Sequence, residues 1–140
     1  MRFFIRLNVS SFLYAMFPFA VLELMANVYR ISRVTGWELS HVNKLILAFC
    51  VAGITVSNIA FPKLIRHWLD GRKASYFSLI LWFPYFVILV SILVSWLPIT
   101  EPADQPNPVT GLIAMAALAL YPFYLGILHL FGTTAKNMDR

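Results

Sequence analysis

The sequence predicts an all-α polytopic membrane protein, a single domain built as a bundle of four transmembrane helices with proline-kinked helices. Three observations predict it. Charged residues are 12% of the 140 and hydrophobic residues 60%, where a soluble domain carries roughly a quarter charged residues; the mean hydropathy is +0.75. Four apolar stretches approach or exceed the about 20 helical residues that cross a bilayer core. The basic residues gather beside those stretches, as cations flanking membrane spans do.

The first span covers residues 7–29, with Glu23 its one charge. Arg2 and Arg6 precede it in the manner of a signal peptide, but the apolar run is too long and lacks a small-x-small cleavage pattern after it, so an uncleaved helix is expected. The second span, residues 45–61, and the third, residues 76–97, carry no charge, and the fourth, residues 109–131, holds His129. Backbone groups in lipid must bond within their own segment, which selects helices, because barrel strands are shorter and alternate polar with apolar.

Counting Lys and Arg sets the orientation. One side holds Arg2, Arg6, Lys63, Arg66, Arg72, Lys73, Lys136 and Arg140, and the other holds Arg30, Arg33 and Lys44. Eight against three puts both termini in the cytoplasm, and the loop ITEPADQPNP, acidic and without a basic residue, agrees. The loop RISRVTGWELSHVNK dissents, and its cations are expected to meet phosphate headgroups or an acidic partner. Tyr29, Trp37 and Trp96 would mark the outer interface and Trp68 and Tyr76 the inner one. A bacterial inner membrane is the expected location.

Several functional classes lack their signatures. There is no glycine-rich phosphate loop, no paired-cysteine metal pattern and no HExxH, so no cofactor, metal or catalytic residue is assigned. The single Cys50 is read as a small buried side chain. The net charge of +5 belongs to topology, and nucleic acid is not an expected partner. His67 and His129 fall near one membrane face, which admits haem or metal ligation in principle, yet both read better as interfacial histidines bonded to headgroup or backbone.

Residues 61–73, FPKLIRHWLDGRK, alternate cations with apolar groups at helical spacing. Leu64, Ile65, Trp68 and Leu69 would lie on lipid, Asp70 and Gly71 would turn the chain, and Lys63, Arg66, His67, Arg72 and Lys73 would form a docking loop for anionic headgroups or a cytoplasmic partner.

Three spans repeat one triplet: Phe17-Pro18-Phe19, Phe83-Pro84-Tyr85 and Tyr121-Pro122-Phe123. Pro18, Pro84 and Pro122 each delete a backbone donor, bend the helix and leave a carbonyl for neighbours to satisfy. Pro84 and Pro122 fall at matching depth, and Pro18 and Pro84 open the two halves of a weak two-plus-two pattern. Ala48, Ala52, Gly53, Ser57 and Ala60 in the second span, and Gly111, Ala114, Ala117 and Gly126 in the fourth, supply small faces for close helix contact, with Ser91 and Ser95 as candidate hydrogen-bonding partners.

Glu23 is the strongest polar feature, because an acid inside a span must be paired, hydrated or neutralised. Asn27 and Arg30 follow at i+4 and i+7 and make one polar face with it. The expected function is that of a small non-catalytic membrane protein acting through helix contacts with a larger membrane partner, of accessory, assembly or immunity type. The alternative is a small homo-oligomeric transporter or channel that couples protons or cations through Glu23.

Overall fold

The computed structural model describes residues 2–70 and 72–138; Gly71, expected in the turn, and Arg140, counted among the cations, lie outside the described residues. Within them the chain is helical, with no strand. Helix α1 runs Arg2–Ala26, α2 Val28–Thr35, α3 Leu39–His67, α4 Ser78–Trp96 and α5 Pro108–Met138, with short 3-10 turns at Lys73–Phe77 and Pro102–Asp104. Four helices are long and apolar enough to cross a membrane: α1, α3, α4 with its preceding turn, and α5.

Local chemistry sets the ends. A single residue, Asn27, interrupts the first span, while bonds from its N–H to the Glu23 carbonyl and from the Ile31 N–H to its own carbonyl carry the ladder across. Gly36 stops α2 in the left-handed region that a residue without Cβ adopts freely, φ 70°, and donates to the Ser32 carbonyl. Asn107 caps α5, its Oδ1 accepting from the Val109 N–H at 2.9 Å. Asp70, at φ 54°, makes the turn after α3, a conformation Asp tolerates better than bulkier residues.

α3 passes through Pro62 and continues to His67, beyond residue 61 where the apolar run gives out. Proline inside a helix costs about 3 kcal/mol. The extension offsets this by burying Ile65, and Leu69 just past the helix end, beside Phe61, at about 1.5–3 kcal/mol for each large side chain. Ile65 and Leu69 therefore do not lie on lipid as the alternating pattern predicts; both are fully buried inside the protein.

α1 is the central helix: a third of its apolar window is buried, 33% against 11% for α3. Its most extensive partner is α4, while α3 pairs with α5. Ser10, Ser11 and Ala15 are all fully buried; the two serine hydroxyls bond back to the carbonyls of Arg6 and Leu7, so small polar side chains are buried without orphaned donors. The core joins Leu7, Tyr14, Phe61, Ile65, Trp82 and Leu125 with their neighbours. It lies toward the end that holds the N-terminus, the Lys73–Phe77 turn and the C-terminal turn of α5, called here the basic end. At the opposite, distal end, α2 meets the Pro102–Asp104 turn.

The triplet prolines sit inside unbroken helices, and three of their aromatics, Phe17, Phe83 and Tyr121, connect through ring contacts and Trp82. Pro18 has no N–H for the Tyr14 carbonyl four residues earlier. The Tyr121 hydroxyl supplies the missing donor at 2.6 Å. Trp82 packs edge-on against Tyr121 at 4.8 Å and against Phe83 at 5.7 Å, and Phe17 lies 6.4 Å from Tyr121.

The small faces are used unevenly. Gly53 lies directly under the Phe17 ring, and Gly132, outside the anticipated set, marks the tight α3–α5 crossing: a Cβ there would stand 2.8 Å from the Ile65 side chain and 3.1 Å from the Pro62 carbonyl. Gly111 and Gly126 face open space. Ser91 and Ser95 bond to Val87 and Ser91 carbonyls within their own helix, so neither bridges helices as their position allows.

Candidate functional site

Glu23, Asn27 and Arg30 do come together at the distal end, in a cleft of about 630 Å³ between the end of α1 and the end of α4. Asn27 Nδ2 donates to the Glu23 carbonyl at 2.9 Å and to Glu23 Oε2 at 3.3 Å. The walls are apolar, with Leu93, Val94, Leu97 and Ile99 opposite the acid.

Arg30 does not neutralise Glu23. Its guanidinium donates to the carbonyls of Leu97 at 3.1 Å and Pro98 at 2.7 Å, and its Nε lies 3.5 Å from Asp104 Oδ2. Arg33, one turn on, binds the same carboxylate through two parallel bonds, Nε to Oδ1 at 2.9 Å and Nη2 to Oδ2 at 2.7 Å. This fork geometry suits a planar guanidinium and a planar carboxylate. Asp104 is 2% exposed, and the Arg33 hydrogen bonds hold its carboxyl below the usual range while Asp104 raises Arg33 in turn. Two cations of the dissenting loop thus meet an acid of the chain itself. The i, i+3 spacing of Arg30 and Arg33 against a loop holding Glu101 and Asp104 was the available signal for that pair.

At the basic end the expected docking residues divide. Lys63, His67, Arg72 and Lys73 are exposed and Arg66 is half-buried. Arg72 lies over the Phe3 ring at 5.3 Å, and Arg6 reaches the Trp68 carbonyl at 3.4 Å, so the start of α1 is tied to this loop.

His129 differs from the interfacial reading. It is fully buried between Tyr14 and Tyr76, with Nε2 3.0 Å from Ser78 Oγ and Nδ1 3.4 Å from Ser75 Oγ. Ser78 spends its proton on the Ser75 carbonyl at 2.6 Å. Its oxygen therefore accepts from Nε2–H, which leaves Nδ1 to accept from Ser75. The neutral ring satisfies every partner in that assignment, which follows from the bonding network. Both nitrogens are engaged, and His67 stands exposed at the end of α3, so the two imidazoles do not form a ligand pair. Tyr76 packs on this ring at 5.2 Å instead of standing free at the interface. Ser75 and Ser78 lie 54 and 51 residues from His129, a separation no local pattern reports.

Searches of family models, curated proteins and solved structures return no match to this chain. The site must be read from its own chemistry. A serine beside a histidine can serve nucleophilic catalysis, but Ser75, Ser78 and His129 are all fully buried. Among the described residues no three His, Cys, Asp or Glu side chains assemble into a metal-binding group. Open to a ligand or partner, among other clefts, are the distal cleft and a second groove of about 370 Å³ between α1 and α3, which runs from Phe49 past Gly53, Ser57 and Ala60 to Leu64 and is faced by Leu13 and Phe17.

Proposed function

We propose that this is a non-catalytic integral membrane protein that works by docking a helix of a larger membrane protein, as an accessory, assembly or immunity-type subunit. The α1–α3 groove carries the reading. Its floor of Ala20, Ser57 and Ala60 is small and its rim of Met16, Phe49 and Val56 is apolar, the combination that lets helices approach closely where the solvent is as apolar as the side chains; Gly53 beneath them is already taken by the Phe17 ring. Bends at Pro18, Pro84 and Pro122 belong to this proposal, and the Tyr121 bond to the carbonyl that Pro18 frees supports the first of them.

The basic-end cations favour termini in the cytoplasm, as in a bacterial inner membrane, with Lys63, His67, Arg72 and Lys73 facing anionic headgroups. Two of the three cations that oppose that orientation, Arg30 and Arg33, are tied to Asp104 of the chain itself. A second reading, an oligomeric proton- or cation-coupled transporter, rests on Glu23 in its cleft. The buried Tyr14, Tyr121, Leu125 and His129 layer below it leaves a single subunit without a continuous polar path, so that reading needs more than one copy.

Purification of the tagged protein from its native membrane in mild detergent tests the leading proposal. A stoichiometric membrane partner is expected with the wild type and is lost when Ala60→Trp fills the groove. Recovery of the protein alone, or a partner retained by the variant, removes the proposal.

A further inference from the structure

Glu23 stands within an apolar helix, and the protein's own arginines are committed elsewhere. Arg30 is held by the Leu97 and Pro98 carbonyls and Asp104, and Arg33 by Asp104. Asn27 gives Glu23 one side-chain bond, to Oε2, and Oε1 has no bond among the described residues. A carboxylate at this depth needs a counter-charge, water or a proton.

We propose that the Glu23 cleft is a binding site for a primary ammonium group carried on a short apolar tail. The sign follows from the carboxylate, which repels anions, while the arginine at the mouth is already turned to the 97–98 carbonyls. The size follows from the cleft: about 630 Å³ is far more than a bare ion fills, and small-molecule sites start at roughly 300 Å³. The tail follows from the Leu93, Val94, Leu97 and Ile99 wall.

The degree of substitution follows from the acceptors. Both Asn27 N–H bonds go to Glu23, so its side-chain oxygen is the acceptor left to it, and Asn27 lines the same cleft. A primary ammonium has three donors for Glu23 Oε1, Glu23 Oε2 and Asn27 Oδ1. A quaternary ammonium has none and keeps only the charge. The site faces one side of the bundle, above the closed aromatic layer, so it binds and does not conduct. It needs no partner protein, which separates it from the docking proposal.

The test uses the whole protein in nanodiscs of zwitterionic choline lipid. Esterification of Glu23 by diphenyldiazomethane, which does not couple carboxyls to amines, is followed by mass spectrometry, with exposed Glu38 as the internal reference. Saturating octylammonium is expected to slow modification of Glu23 by about tenfold or more, the scale of one charge-assisted bond, and to leave Glu38 unchanged. Octanol should do nothing and octyltrimethylammonium much less.

Equilibrium dialysis gives the second measurement: saturable octylammonium binding to the wild type, absent in the isosteric Glu23→Gln, and less selective over the quaternary amine in Asn27→Leu. Protection on adding phosphatidylethanolamine to the nanodisc assigns the ligand to a lipid headgroup, whereas protection by octylammonium alone assigns it to a free amine. Equal slowing of Glu23 and Glu38, equal protection by octanol, or undiminished binding in Glu23→Gln overturns the site.

Discussion

Tyr121 shows how one side chain answers a backbone defect in another helix. Pro18 strands the Tyr14 carbonyl in a region where water cannot reach it, and the Tyr121 hydroxyl at 2.6 Å is the donor. Removing only that hydroxyl isolates the effect. Tyr121→Phe keeps the ring against Trp82 and leaves a buried acceptor unpaired, which costs about 1–3 kcal/mol. A lowered unfolding midpoint in detergent is expected, and Phe17→Leu in the same background should not restore it. An unchanged midpoint would mean that the carbonyl has another donor. His129 teaches the opposite lesson about legibility: a histidine near a span boundary has an ordinary interfacial explanation, and nothing nearby in sequence discloses Ser75 and Ser78. Glu23 with Asn27 was legible because i, i+4 spacing on a helix is itself a contact, whereas the commitment of Arg30 to Asp104 and the 97–98 carbonyls spans some seventy positions.

The helices as elements were readable from apolar length and the membrane's demand for internal hydrogen bonding. Their ends were less so. α3 runs past Pro62 because Ile65 and Leu69, buried beside Phe61, are worth more than the one bond that proline deletes, a balance that hydropathy counting does not contain. Small residues were likewise visible as a class but not as contacts, since the helix rotations that bring Gly132 against Ile65 depend on the whole packing. Paired glycine substitutions separate the two cases. Gly132→Ala places a Cβ 2.8 Å from Ile65 and 3.1 Å from the Pro62 carbonyl, and such overpacking is expected to destabilise by about 1–3 kcal/mol. Gly126→Ala meets no atom within 4 Å and gains helix propensity, worth up to about 1 kcal/mol. Thermal unfolding of both variants in one detergent checks the ranking; equal effects would place the α3–α5 crossing elsewhere.

Two separate fastenings hold the whole molecule. At the basic end, buried apolar packing and the neutral His129 cluster join α1, α3, α4 and α5. At the distal end, the clasp of Arg30 and Arg33 on Asp104 joins α2 to the α4–α5 connection. These differ in their response to acid. The Arg33 hydrogen bonds lower the Asp104 carboxyl below its ordinary value of 3.8, and Asp104 raises Arg33, which stays charged. Because the folded value is the lower one, the clasp's contribution is fully present above the ordinary carboxyl value and is lost as pH falls through the folded value. Glu101 also acts on Arg33, but as a weaker influence than the directly bonded Asp104. Acidification through this window should therefore loosen residues 28–35 and 97–107, measured as hydrogen-exchange protection relative to intrinsic rates, while residues 84–92 in the middle of α4 keep theirs. Asp104→Asn should already be loose at neutral pH and should show no further acid step in those segments. Loss of protection in residues 84–92 together with those segments, or an acid step there that survives Asp104→Asn, would show that the clasp is not what acid releases.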